Sequence, residues 1–271
     1  MINAKQELRA LQHRWSNCEK CELGLRRAAQ NAAIVPGEGH VGSIMLIGEG
    51  PGQEEEQEER PFVGQTGELL RAIFAGYHFN RFYLTNIVCC RACAPLLDDS
   101  GSPRFRKGSK GIPIPIFRDQ IPSPPQMSAC AARLYEEIYL VDPLIILALG
   151  ATVSEFLLNR KVALTKERGK AATCTIPGRT QRAVLTEKKK VWERTVKGEI
   201  VRPMEPSRVK YTVIPTLHPA YVLRKLSDHG ADSPWNLLAG DIKKAIQVLD
   251  FLQDNTDIEE REFDHGEETE N

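Results

Sequence analysis

The sequence predicts an α/β fold: a single domain built on a central, mostly parallel four-stranded sheet with helices on both faces. Three observations predict it. Four short, mostly apolar runs recur along the chain, at Ser43–Ile47, Arg81–Val88, Leu144–Leu149 and Tyr211–Thr216. Segments of helical length and periodicity alternate with them. The first run leads straight into the glycine-rich loop Gly48-Glu49-Gly50-Pro51-Gly52. Strands alternating with helices imply a parallel sheet buried on both faces.

The elements follow in order. Ile2–Arg14 reads as a helix, with Leu8, Leu11 and Trp15 near one face. After the first strand and its glycine loop, Pro61-Phe62-Val63-Gly64-Gln65-Thr66-Gly67 precedes a helix over Thr66–Ala75. Further helices are expected over Pro125–Val141, Ala151–Leu158 and Asn236–Leu252. Two stretches do not suit a compact core and read as insertions. Residues 94–124 are rich in proline and contain the basic run Arg104–Lys110. Residues 160–210 hold fifteen Lys or Arg against five Glu, Lys188, Lys189 and Lys190 among them. Loops of that length inside a domain are functional or disordered.

Composition limits the class. The chain has 271 residues, 41% apolar and 27% charged, which suits a soluble globular protein. No apolar run approaches the roughly 20 residues that span a bilayer, so no membrane partner is expected. Met1–Glu7 lacks the apolar core of a signal peptide, which places the protein in a reducing, intracellular compartment, cytoplasmic or nucleoid-associated. The zero net charge hides an asymmetry. Residues 254–271 carry nine acids and one Arg, a charge of −8, so the preceding 253 carry +8. The domain is therefore expected over residues 1–253, followed by an acidic disordered tail over 254–271. A basic body suits a phosphate-rich partner.

Seven cysteines in a reducing compartment point to metal rather than disulfides. Cys18-x-x-Cys21 is a chelating pair. Two completions are open: Cys90-x-x-Cys93, which would make a four-thiolate zinc site, or Cys90 with the distant Cys130. Cys174, set among polar residues, reads as a plain side chain.

The glycine loop reads as a binding pocket. In open α/β sheets ligands bind outside the carboxyl ends of the strands, and glycine lets backbone amides approach a ligand. Glu49, Gly50, Gly52 and Phe62 are its candidate binding residues, with acids crowded from Glu54 to Glu59.

Five segments in order then carry a resemblance. They are Cys18-Glu19-Lys20-Cys21, the loop from Gly48 to Gly67, Tyr83-Leu84-Thr85-Asn86-Ile87-Val88-Cys89-Cys90-Arg91, Cys130 before Asp142-Pro143-Leu144-Ile145-Ile146-Leu147-Ala148-Leu149-Gly150, and Leu217-His218-Pro219-Ala220-Tyr221-Val222-Leu223-Arg224. Together, from about Asn17 to about Leu249, they resemble the family 4 uracil-DNA glycosylases, which carry an iron–sulfur cluster.

The resemblance implies a monofunctional glycosylase that hydrolyses the bond between uracil and deoxyribose in base-excision repair. Its partner would be uracil-containing DNA, single- or double-stranded. A monomer is expected, with the insertions or tail left to replication or repair proteins. It selects Cys18, Cys21, Cys90 and Cys130 as ligands of a [4Fe–4S] cluster. Phe62 would stack on the flipped base and Asn86 would read its pyrimidine edge, offering donor and acceptor together. His218 would donate to the O2 of the departing uracil. Glu55 would position water or stabilise the cationic sugar, and Glu49 would organise the loop. Gly50 stands where other uracil glycosylases carry a water-activating Asp. Tyr221, Leu223 and Arg224 would face DNA. The rival readings are a catalytically inactive DNA-binding relative and a uracil-trapping relative. The second is disfavoured because the chain has no His between His78 and His218 to serve as the trapping nucleophile.

Overall fold

The computed structural model describes residues 4–107, 111, 113–177, 195–196, 199–200 and 208–264. Two helices, α1 (Ala4–Trp15) and α2 (Glu22–Ala29), precede the edge strand β1 (Glu38–Gly39). Then come β2 (Ile44–Gly48), α3 (Gln53–Glu58), α4 (Gly64–Gly76) and β3 (Phe82–Asn86). A ribbon of short strands follows: β4 (Cys93–Pro95), β5 (Phe105–Lys107), β6 (Pro113–Pro115) and β7 (Phe117–Asp119). The chain continues through α5 (Pro124–Val141), β8 (Ile145–Leu149), α6 (Ala151–Leu158), α7 (Leu164–Glu167) and β9 (Ala172–Pro177). It ends with β10 (Thr195–Val196), β11 (Glu199–Ile200), β12 (Arg208–Thr216), α8 (Pro219–Leu223) and α9 (Pro234–Asp264).

The main sheet has the order β1-β3-β2-β8-β12-β9. Its four central strands run parallel, as expected; β1 and β9 close the edges antiparallel. Fully apolar central strands serve two cores because side chains alternate between faces. Ile44 and Leu46 pack with Phe74, Leu238 and Ile242 on one face. Met45 and Ile47 pack with Leu8, Leu134 and Ile138 on the other. The first strand in sequence, β2, lies between the second and the third, so the winding reverses between β2 and β8. Such a reversal leaves a crevice at the carboxyl ends of the two strands.

Three expectations need correction. Residues 160–210 are not wholly outside the core, because β9 pairs along six residues of β12. The signal was the period-two burial of Cys174 and Ile176, obscured by the surrounding basic residues. Within residues 94–124, the described strands β5, β6 and β7, with β4 before them, pair as antiparallel ribbon rather than open loop. The helix α9 continues through Asp264, so the first part of the expected disordered tail is helical. Lys110, Lys188–Lys190 and residues 265–271 lie outside the described residues.

Candidate active site

Every strand end in the parallel core delivers a candidate residue to one rim. Glu49 follows β2, Asn86 ends β3, Gly150 follows β8 and His218 follows β12. Beside them a cleft of about 550 Å³ is lined by Glu49, Gly50, Gly52, Glu55, His218 and Leu223, among others, whereas Asn86 and Phe62 are buried and do not line it. That volume suits a nucleoside-sized ligand.

Gly48 is the hinge between the two base-reading candidates. A Cβ there would lie 2.3 Å from Asn86 Oδ1 and 2.7 Å from Phe62 Cζ, so both side chains flank its bare backbone. Asn86 is 4% exposed, and among the described residues its Nδ2 has no hydrogen-bond partner. A buried donor left unpaired costs about 1–3 kcal/mol, a cost that a ligand acceptor would remove. Gly50 has a packing reason of its own, since a Cβ there would stand 2.8 Å from Val88 Cγ2.

Phe62 is buried at φ +54°, a conformation unusual for a bulky residue and worth roughly 1–3 kcal/mol of strain. Two neighbours hold it. Its N–H donates to Glu55 Oε1 at 2.5 Å, and Arg71 Nη1 donates to its carbonyl at 2.6 Å. The other Glu55 oxygen accepts from Gly52 N at 2.5 Å. Both Glu55 oxygens are thus bound to backbone, bracketing the loop from Gly52 to Phe62. Burial pushes the Glu55 carboxyl above its ordinary range, opposed by these two hydrogen bonds.

His218 caps α8: its Nδ1 accepts from Ala220 N at 3.2 Å. That bond fixes the neutral tautomer with the proton on Nε2. Burial holds the imidazole below its ordinary pKa, and Arg224 acts in the same direction; Glu49 opposes them. Gly150, at φ +95°, lets the chain pass between His218 and Glu49, and a Cβ there would stand 3.4 Å from His218 Cβ and 3.8 Å from Glu49 Oε1. Leu223 reaches the cleft, whereas Tyr221 and Arg224 are exposed on the same short helix.

On the other side of the turn after β3 lies a small cavity with an apolar lining. Cys18, Cys21, Cys90 and Cys130 all line it, and so does Cys89. Cys89 and Cys130 stand 3.8 Å apart, sulfur to sulfur. Cys93 is placed elsewhere, in β4 opposite Asp119. Among the described residues, no three His, Cys, Asp or Glu side chains converge on a single metal-ion position. Cys174 is buried and donates to Leu157 O at 2.9 Å.

Sequence reasoning missed two contributors. The first is Arg133 on α5, one turn beyond Cys130. Its Nη2 donates to the carbonyls of Asn86 (2.5 Å) and Ile87 (2.7 Å), and its Nη1 to Glu137 Oε2 (2.6 Å). Tyr83 and Thr85 hydroxyls also donate to Glu137, completing a buried network beneath the turn. Helical i, i+4 spacing of opposite charges was the available signal. The second is Asp119, Gln120 and Ile121, which line the cleft from the insertion. No sequence pattern announced them.

Comparison with known proteins agrees with this architecture. The sequence profile of the Uracil DNA glycosylase superfamily matches residues 37–239. The Type-4 uracil-DNA glycosylase of Thermotoga maritima is 29% identical over 232 residues, covering 84% of this chain and 89% of that protein. The Pyrobaculum aerophilum protein of the same name is 28% identical over 222 residues, covering 81% and 86%. That of Saccharolobus solfataricus is 34% identical over 169 residues, covering 59% and 65%. With the profile spanning the strands, the cleft and the ends that build it, the chain belongs to the uracil-DNA glycosylase superfamily.

Proposed function

We propose that the protein is a monofunctional uracil-DNA glycosylase, releasing uracil from DNA by hydrolysis and leaving an abasic site. The observation that carries this reading is that two prepared hydrogen-bond groups stand at carboxyl ends of the same parallel sheet, Asn86 at β3 and His218 after β12. Asn86 presents a buried, unpartnered amide, and His218 presents Nε2–H because its Nδ1 is committed to α8. A flipped uracil needs a donor for O4, an acceptor for N3–H and a donor for O2. Asn86 Nδ2 and Oδ1 supply the first two, and His218 the third. Cytosine reverses the pattern at position 4 and is rejected.

The reaction follows from this placement. The C1′–N1 bond breaks with its electron pair moving onto uracil, and charge gathers on O2. A neutral imidazole donating there stabilises the departing anion, an effect of about 2.7–4 kcal/mol for one well-placed donor. Water adds to C1′, and the proton it loses passes through solvent to the uracil anion, leaving neutral uracil and the abasic sugar. Glu55 takes a different part from the one its sequence position suggested. With both oxygens on backbone N–H groups, it shapes the loop and holds Phe62 against the base site. Glu49, beside Gly150 and His218, is the acid that faces the positive charge developing on the sugar. Leu223, Tyr221 and Arg224 lie on the DNA side of the rim.

The cysteine cavity fits an iron–sulfur cluster held by Cys18, Cys21, Cys90 and Cys130. Soft thiolates set around an apolar space suit it. A [4Fe–4S] cluster gives each thiolate its own iron, so the four need not converge on one point. Bound there, the cluster would cross-link the N-terminal segment to β3 and α5.

The test is incubation with a single-stranded oligonucleotide carrying one uracil, then alkali. Strand scission at the uracil, and none at cytosine or thymine, is expected. Absence of scission with the folded, brown protein would leave the chain a DNA-binding relative without catalysis.

A further inference from the structure

The insertion after Cys90 is an arm with a fixed base and exposed cations along its described strands. Its strands form one antiparallel ribbon: β4 pairs with β7, β5 pairs with β6, and Leu96, Arg104 and Ile116 bridge the two pairs through backbone hydrogen bonds of 2.7–2.9 Å. The base is clamped. Arg91 Nε meets Asp119 Oδ1 at 2.5 Å, and Arg26 Nη2 binds both Glu56 Oε1 (2.8 Å) and the Arg91 carbonyl (2.7 Å). The residues just after this clamp, Gln120 and Ile121, line the cleft itself. The arm therefore leaves the mouth of the base site in a set direction.

Along it Arg104, Arg106, Lys107 and Arg118 are all exposed, and none forms a salt bridge among the described residues. The cross-strand register opposes Phe105 to Pro115 and Lys107 to Pro113, which places Phe105, Lys107 and the two prolines on one face of the ribbon, with Arg106, opposite Ile114, on the other. Phe105 is 56% exposed there. Exposed cations on both faces of the ribbon, with Lys107 sharing the face of a bare aromatic and two prolines, are chemistry for a backbone of phosphates with accessible base faces. A strand of a duplex offers the phosphates, but its base faces are stacked inside. A solvated loop would not need a clamped base, nor would it leave a Phe bare beside a lysine and two prolines.

We infer that the arm is a rail for single-stranded DNA. The cations hold phosphates next to the flipped nucleotide, and Phe105 stacks on an unpaired base. This rests on the glycosylase reading, since it makes the arm an extension of the same cleft. It predicts a preference for uracil in single strands that resides in the arm and not in the base site.

The test uses the full chain and two variants. One is Phe105→Ala; the other converts Arg104, Arg106, Lys107 and Arg118 together to Gln. Anisotropy titrations on uracil-free single-stranded and duplex oligonucleotides of one sequence, over a range of salt, give affinity and salt slope. Phe105→Ala should weaken single-strand binding by about 5- to 150-fold, the range for one base stacked on an aromatic, and leave duplex binding unchanged. The quadruple variant should flatten the single-strand salt slope by about two to three units, at roughly 0.7 per phosphate. Equal losses on both forms, an unchanged slope, or full single-strand affinity in Phe105→Ala would each overturn the rail. A parallel uracil-release assay on the unaltered protein separates the two readings. Arm-dependent binding without release would defeat the glycosylase reading alone; release with arm-independent binding would defeat the rail alone.

Discussion

The cleft and the cysteine cavity lie on opposite sides of the turn from Asn86 to Cys90, yet they are built on opposite principles. The cleft is open, and the donors at the strand ends around it are held ready but unpaired: among the described residues the buried Asn86 Nδ2, beside Gly48, has no partner, and His218 Nε2–H is left over from a cap. The cavity is small and its lining surface is apolar, and two of its sulfurs, those of Cys89 and Cys130, stand 3.8 Å apart. Between them Arg133 grips the Asn86 and Ile87 carbonyls from the helix that also carries Cys130. A site that must recognise a ligand retains unsatisfied polar groups, at a cost in stability. The scaffold that aims those groups pairs most of its polar atoms within the protein: both Arg133 Nη atoms and both Glu137 oxygens are engaged, and only Arg133 Nε is left without a partner among the described atoms of this pair. Changes in the cleft should therefore remove activity and spare the fold, and changes in the scaffold should do both.

The largest effect should come from Asn86→Asp. It keeps the acceptor for N3–H and replaces the donor for O4 with a carboxylate oxygen. Uracil release should fall by about 10³- to 10⁴-fold with the unfolding midpoint little changed, as for sites that lose a required hydrogen bond to the base. Single-turnover rates and a melting curve test it together. Near-normal release in a folded variant would remove Asn86 from base recognition.

Next is Arg133→Met, which leaves Glu137 buried without its cation. Removing one partner from such a pair costs about 3–5 kcal/mol. Denaturant unfolding should show that loss, and adding Glu137→Leu should recover much of it, since a well-packed apolar pair is often as stable as the ion pair. If the double variant regains stability but not uracil release, the grip on the Asn86 carbonyl matters beyond the fold.

Third are the cysteines. Cys18, Cys21, Cys90 and Cys130 changed singly to Ala should each lose the iron, the sulfide and the broad absorbance near about 400 nm expected of a [4Fe–4S] centre. Cys93→Ala should keep all three, because Cys93 lies outside the cavity. Stoichiometric zinc in anaerobically purified protein would replace the cluster with a single ion. Cys89→Ala sharpens the comparison, since Cys89 lines the cavity beside Cys130 without belonging to the chosen four.

How much of this was legible in the chain differs by region, for physical reasons. The four parallel strands were legible because strands buried on both faces read as unbroken apolar runs, as in Ile44–Ile47 and Ile145–Leu149. Edge strands carry no such run: β1 is two residues, and β9 alternates between buried and exposed positions inside a basic stretch. In the site, Asn86 and His218 were singled out by the resemblance that the segments around them carry, since a strand-end Asn or His alone reads as an ordinary polar residue. The double hydrogen bonding of Glu55 could not, because it depends on how far the loop folds back between Gly52 and Phe62. The cleft wall at Asp119–Ile121 was hidden for the same reason, since a 25-residue excursion of the chain returns it to the pocket.

The smallest expected effect is on pH dependence, and it probes whether the cleft's readiness rests on a neutral His218. Burial holds this imidazole below its ordinary 6.5, with Arg224 acting in the same direction and Glu49 against. The neutral form, with Nδ1 accepting from Ala220 and Nε2–H facing the cleft, therefore persists as pH falls through 6.5. Protonation would place a second N–H against the Ala220 amide and break the cap. The sign for stability follows from the depressed value. Unfolded chains take up the proton near pH 6.5 and folded ones only below it, so this group begins to cost stability as pH falls through 6.5, and the loss grows until the folded imidazole also titrates. Activity should run the other way at first: single-turnover uracil release should hold across pH 6.5 and decline only on the acid side of it. His218→Ala should lower release by about 10²- to 10³-fold and abolish that acid limb. An acid limb at or above 6.5, or one that survives in His218→Ala, would assign the titration to another group and leave His218 a helix cap alone.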